Sequence, residues 1–230
     1  MKTSFAWAIS LVVLGSAARG FSADDSEFVP IDLKAHFNHQ LADGFGTNVP
    51  ENNLSTLPKG ESVFEDCNFD IGEGVIQLGS TALDDFPDKV TGIKVNRKVA
   101  KLHFLHATQY GGGPNQQRNP YYVQDGTKIG EYRVSYDDHS ESIIPIVYGE
   151  DVRDWFFVEG EKSPPHGKVV WTGDNDYARS SQSRIRLYET TWENPSPDKT
   201  VTSIDYSSKK EDTPAAPFCI AITTESSAQK

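Results

Sequence analysis

Cysteine is scarce in this chain: Cys67 and Cys219 are the two among 230 residues, which leaves room for one disulfide at most. Positive charge is also short. There are 22 Lys and Arg against 33 Asp and Glu, a net charge of −11. Such a surface repels phosphate backbones and anionic membranes, so nucleic acid is not an expected partner. Beyond residue 14 no apolar run approaches the roughly 20 residues that a bilayer span needs, so no membrane span is expected in the mature chain. Familiar catalytic signatures are missing as well. There is no G-x-S-x-G, no H-E-x-x-H and no P-loop. Gly111 to Gly113 lead into Pro114 and Asn115 rather than into a helix, so they do not form a phosphate cradle.

The first residues read as a secretory signal, with Lys2 as a short positive region and an apolar stretch from Phe5 to Leu14. Small residues from Gly15 to Ala18 follow, and cleavage after Ala18 or near Ser22 or Ala23 fits that context. The apolar stretch is short for the alternative, an uncleaved anchor. A signal over residues 1–23 predicts a secreted, periplasmic or cell-envelope protein. It also makes the mature chain more acidic, because Lys2 and Arg19 leave and no acid does. In an oxidising compartment Cys67 and Cys219 are candidates for a disulfide. The alternative is two buried thiols that act as small hydrophobes.

From Ser62 onward the sequence reads as strand after strand, punctuated by Gly, Pro, Asn and Asp. SVFEDCNFDI and GVIQLG predict two strands around a turn at Gly72-Glu73-Gly74. VAKLHFLHATQY is apolar on both faces, as a central strand is. IGEYRVSY alternates, with Tyr132, Val134 and Tyr136 on one face. Pro145 places ESIIPIVYG at an edge or a bulge. EDVRDWFFV is compatible with a strand or a loop. Residues 111–126 have no periodicity and form a loop long enough to point to function. The pattern predicts an all-β fold, an antiparallel jelly-roll β-sandwich of about ten strands over residues 62–230. Residues 24–61 read as an N-terminal extension with one or two helical turns near Ala35 to Leu41 and a long loop.

Three kinds of chemistry can be weighed. His103 and His106 suggest H-x-x-H, but on a strand they point to opposite faces and cannot share a metal. His36 and His39 lack a third ligand. Acidic turns at Asp84, Asp85 and Asp88, at Glu150, Asp151 and Asp154, and at Asp174 and Asp176 offer oxygens to a structural Ca²⁺, though none matches an EF-hand. Solvated turn carboxylates and caps are the favoured reading of each. Aromatic residues among polar ones carry the third reading, because sugar rings stack on aromatic faces while their hydroxyls bond charged and amide groups. Tyr110 and Trp155 are the expected stacking residues, with Asp151, Arg153 and Asp154 bonding the hydroxyls. Trp171 reads as core.

The strings KVTGIKVNRKVAKLHFLHAT, GEYRVSYDD, IPIVYGEDVRDW, VVWTG, IRLYETTWENPSPDKTVTSIDY and APFCIAIT, within residues 62–224, resemble a bacterial exported β-sandwich module of the galactose-binding-domain-like type. That resemblance implies the sandwich fold and an extracellular binding role, with no ligand residues to carry over. Three functions follow as expectations. The first is non-catalytic recognition of a glycan by loops at one end of the sandwich. The second is a structural or protein-interaction module of the envelope or extracellular matrix. The third is a small glycan hydrolase with acids drawn from Glu150, Asp151 or Asp154.

Overall fold

Period-two alternation of apolar and polar residues makes a ribbon with one wet and one dry face, and two such ribbons bury their dry faces against each other. The computed structural model describes residues 27–46, 49–112 and 120–227 and is all-β. Its strands are β1 (Phe28–Pro30), β2 (His39–Gln40), β3 (Gly60–Phe64), β4 (Cys67–Ile71), β5 (Gly74–Gln77), β6 (Lys89–Lys98) and β7 (Lys101–Gln109). They continue with β8 (Lys128–Tyr136), β9 (Glu141–Val147), β10 (Lys168–Gly173), β11 (Ile185–Glu193), β12 (Thr200–Ser208) and β13 (Ala216–Glu225). Thirteen strands therefore form among the described residues, several of them too short to be read from sequence. The residues of the secretory-signal reading lie outside the described ones.

Seven strands make the larger sheet, in the order β10-β11-β7-β13-β5-β2, with β1 also paired to β13. The smaller sheet runs β6-β12-β8-β9, and β3 and β4 form a separate hairpin. Every strand pair is antiparallel. The apolar β7 is indeed interior, between β11 and β13, and β9 with Pro145 is indeed an edge. Tyr132, Val134 and Tyr136 are buried on one face of β8, as their alternation requires. Between the sheets Tyr132 is stacked on Phe104 at 4.1 Å and on Tyr206 at 4.6 Å. Arrays of this kind contribute about 0.5–1.5 kcal/mol per ring pair beyond their buried area.

One strand expectation needs correction. SVFEDCNFDI is not one strand. It turns at Glu65, whose φ of 53° lies in the left-handed region, and so becomes the β3–β4 hairpin. Where they are described, residues 24–61 join the sandwich. They supply β1 and β2 to the large sheet, and Leu33, Leu41, Phe45, Leu54 and Leu57 to the core. Their helical content is one 3-10 turn, Lys34–His36. EDVRDWFFV forms no regular strand and is tied down by single bridges, Tyr148 to Val152, Thr108 to Asp154 and Phe156 to Ile185. A short helix, α1 (Asp176–Ser180), follows β10, its Asn175 side chain accepting the Ala178 N–H at 2.7 Å. Among the described residues no helix is long and apolar enough to cross a membrane.

Candidate functional site

β7 ends at Gln109, and the next residue, Tyr110, adopts φ 58°. A left-handed conformation costs a non-glycine residue roughly 1–2 kcal/mol, so something must hold it. The next residue is glycine for a steric reason: a Cβ on Gly111 would lie 2.5 Å from the Tyr148 ring. The Gly111 N–H donates to Asp154 Oδ2 at 2.6 Å, and the other oxygen of Asp154 accepts from Phe156 N–H at 2.8 Å. Asp154 thus fastens the 151–156 segment to the end of β7. Burial pushes its carboxyl up to about 6, against the pull of these two N–H groups.

The turn places the Tyr110 ring against Tyr121, centroids 4.9 Å apart, at the side of a depression of about 270 Å³. Tyr177 and Phe156, in edge contact at 5.8 Å, also line it. Tyr121 and Tyr177 are exposed. The Tyr110 hydroxyl is buried and, among the described residues, has no hydrogen-bond partner. A buried polar group left in that state costs about 1–3 kcal/mol.

The other expected ligand residues are differently occupied. Trp155 is 2 % exposed and cannot stack on a sugar; its ring packs on Phe45 at 5.1 Å and edge-on against Phe218 at 6.0 Å. The Arg153 guanidinium grips Asp125 with both terminal nitrogens, at 2.8 and 2.7 Å, while its Nε donates to the Lys162 carbonyl at 2.7 Å. Asp151 accepts the Val147 N–H at 2.7 Å and faces His166 Nδ1 at 3.4 Å. Asp154 is spent on the two backbone N–H groups. The physical reason is common to the three charged ones. A loop drawn onto the sandwich desolvates its charges, and buried charges persist only when paired or hydrogen-bonded. Of the five, Tyr110, Asp154 and Trp155 line the depression, and Asp151 and Arg153 do not.

A second constellation lies on the outer face of the seven-stranded sheet, under the β3–β4 hairpin. His103 of β7 stands opposite Thr191 of β11 and Thr223 of β13, so side chains of three adjacent strands converge there. Its Nδ1 is 3.0 Å from Glu189 Oε1 and its Nε2 is 2.9 Å from Glu225 Oε2. Lys101 bonds the second oxygen of Glu225 at 3.0 Å. Cys67 joins from β4, and a cleft of about 760 Å³ opens over the group, with Phe28, Glu65 and Lys168 also on its walls. Burial, and then the neighbouring Glu189, raise the Cys67 thiol to about 12. A thiol so placed is a poor nucleophile.

Cys67 and Cys219 are both free and buried, so the disulfide is not formed. Cys219 is paired in register with His106 on the inner side of the sheet, whereas Cys67 faces the outer cleft. The acidic turns are mostly satisfied by cations or backbone: Asp174 and Asp176 by Arg179, and Asp84 by Lys210. Among the described residues, neither those turns nor the His36 and His39 pair brings three ligand atoms together. No protein-family model and no curated protein matches the chain.

Proposed function

We propose that this chain is an exported, non-catalytic carbohydrate-binding module that takes a saccharide in the depression between Tyr110, Tyr121 and Tyr177. The observation that carries the reading is the buried Tyr110 hydroxyl, without a partner among the described residues, beside rings that remain exposed. A small rotation of the Tyr110 ring on binding brings its hydroxyl to a sugar hydroxyl, and the aromatic faces take the apolar face of the pyranose. The net charge of −11 disfavours polyanionic glycans and points to neutral or cationic sugars.

Tyr110→Phe tests this directly. Removing an unsatisfied buried hydroxyl leaves the free protein as stable or more so, while glycan affinity falls about tenfold, the value of one hydrogen bond near 1.4 kcal/mol. Glycan-array screening finds the sugar class and calorimetry on the variant reads the loss. Unchanged affinity in Tyr110→Phe rejects the site.

A second reading, a structural or protein-interaction module of the envelope or extracellular matrix, draws on the shielding of Trp155 and on the exposed Phe157 and Val169. A blank glycan array would favour it.

A further inference from the structure

The outer cleft contains the one group of three Cys, His and carboxylate side chains, among the described residues, whose ligand atoms lie within 4.8 Å of one another: Cys67, His103 and Glu189. We propose that these three residues form a binding site for a single zinc-class divalent cation, with a fourth coordination position open to the cleft.

The donor set decides the class of metal. A thiolate, an imidazole and one carboxylate suit Zn²⁺ or Co²⁺, whereas Ca²⁺ and Mg²⁺ take oxygen ligands alone. The spacing fits too. Ligands about 2.0–2.3 Å from a tetrahedral ion stand roughly 3.3–3.7 Å apart. His103 Nδ1 and Glu189 Oε1 are already at 3.0 Å and need only open slightly to admit an ion. All three residues are buried, so their preorganisation comes from the sheet register rather than from mobile loops.

The surroundings supply what a metal-bound histidine requires. With Nδ1 on the metal, the Nε2–H donates to Glu225 Oε2, the carboxylate partner that fixes a ligating imidazole and raises its basicity. Lys101 balances the charge of Glu225. A dication with the Cys67 thiolate and the Glu189 carboxylate then sums to zero, so the buried group is neutral overall. Binding releases the thiol proton to solvent, and with it the proton that Nδ1 shares with Glu189 when that contact is a hydrogen bond.

An ion pair of His103 with two glutamates accounts for those three residues without metal. A protonated Cys67 is tolerated beside them, and a bound cation would turn it into a thiolate ligand.

The test is a Co²⁺ titration of the full chain, reduced and stripped of metal. One equivalent should produce a thiolate-to-cobalt charge-transfer absorption in the near ultraviolet, displaced by Zn²⁺. Cys67→Ser should abolish that absorption and Cys219→Ser should retain it. Glu225→Gln should weaken the affinity about 10–100-fold without removing the band. Zinc should also protect Cys67, and not Cys219, from slow alkylation mapped by mass spectrometry, which needs no variant. No charge-transfer band in the wild-type chain, a band that survives Cys67→Ser, or no protection of Cys67 overturns the proposal. Glycan affinity is read separately at Tyr110, so failure of one site leaves the other standing.

Discussion

His103 and His106 sit three residues apart on one strand and turn to opposite sides of the larger sheet. His103 meets Glu189 and Glu225 in the outer cleft, whereas His106 bonds the Tyr132 hydroxyl at 3.2 Å and Thr190 Oγ1 at 2.9 Å between the sheets. One faces carboxylates. The other faces neutral hydroxyls and has lost its water.

That second environment makes His106 an acid-sensitive element. Burial lowers it from 6.5 to about 3. Between those values the unfolded chain binds a proton that the native chain refuses, so stability rises with pH and is lost as pH falls from about 6.5 towards 3. The ceiling on this effect is about 5 kcal/mol. His106→Gln should flatten the acid limb of urea-unfolding free energy against pH; an unaltered limb would refute the assignment.

Asp154 acts with the opposite sign. Burial raises it from 3.8 to about 6. In that window the native chain holds a proton that the unfolded chain has released, so stability falls as pH rises and levels off above about 6. The ceiling is about 3 kcal/mol. Asp154→Asn should remove this fall and steepen the net rise with pH that His106 produces, measured in the same unfolding series. Equal slopes in variant and wild type would count against it.

The pair of Arg186 and Glu161 is almost fully shielded, with side chains 6 % and 1 % exposed. Arg186 also donates to the carbonyls of Asp154 at 3.0 Å and Phe156 at 3.2 Å. Arg186→Met leaves Glu161 buried without its cation and should cost about 3–5 kcal/mol. Arg186→Met with Glu161→Met should recover much of that loss. A double variant as unstable as the single one would show that the carbonyl contacts, not the ion pair, matter most.

Both thiols should be counted by a disulfide reagent after unfolding, and neither should react quickly in the native protein, since burial raises Cys67 and Cys219 to about 12. A count of none in unfolded, unreduced protein would restore the bridge.

Local periodicity carried the strand pattern well. The alternation of β8, the doubly apolar β7, the edge proline of β9 and the opposed histidines are all short-range properties. The turn at Glu65 was hidden because two adjacent charges inside an apolar string also describe the wet face of a strand. The burial of Trp155 escapes local sequence for a related reason. An aromatic between charges looks the same whether it meets solvent or meets Phe45 and Phe218, and those partners are distant in sequence. The convergence of Cys67, His103 and Glu189 depends on the register of β7 with β11 and on the seat of a separate hairpin. Nothing within a few residues of any of the three announces it.

The pairing of β1 with β13 has a mechanical consequence. Phe28 lies opposite Glu225, and Glu27 and Ser226 exchange hydrogen bonds at 3.1 and 3.0 Å. Residues 27 and 226, at the two ends of this pairing, therefore lie at a single spot. Tension applied across that spot peels the three pairs of β1 apart one after another instead of shearing them together. Phe28, whose ring is 5.5 Å from that of His103, is in the first pair to open, so a pull on the chain would uncover the outer cleft before it disturbed the sandwich.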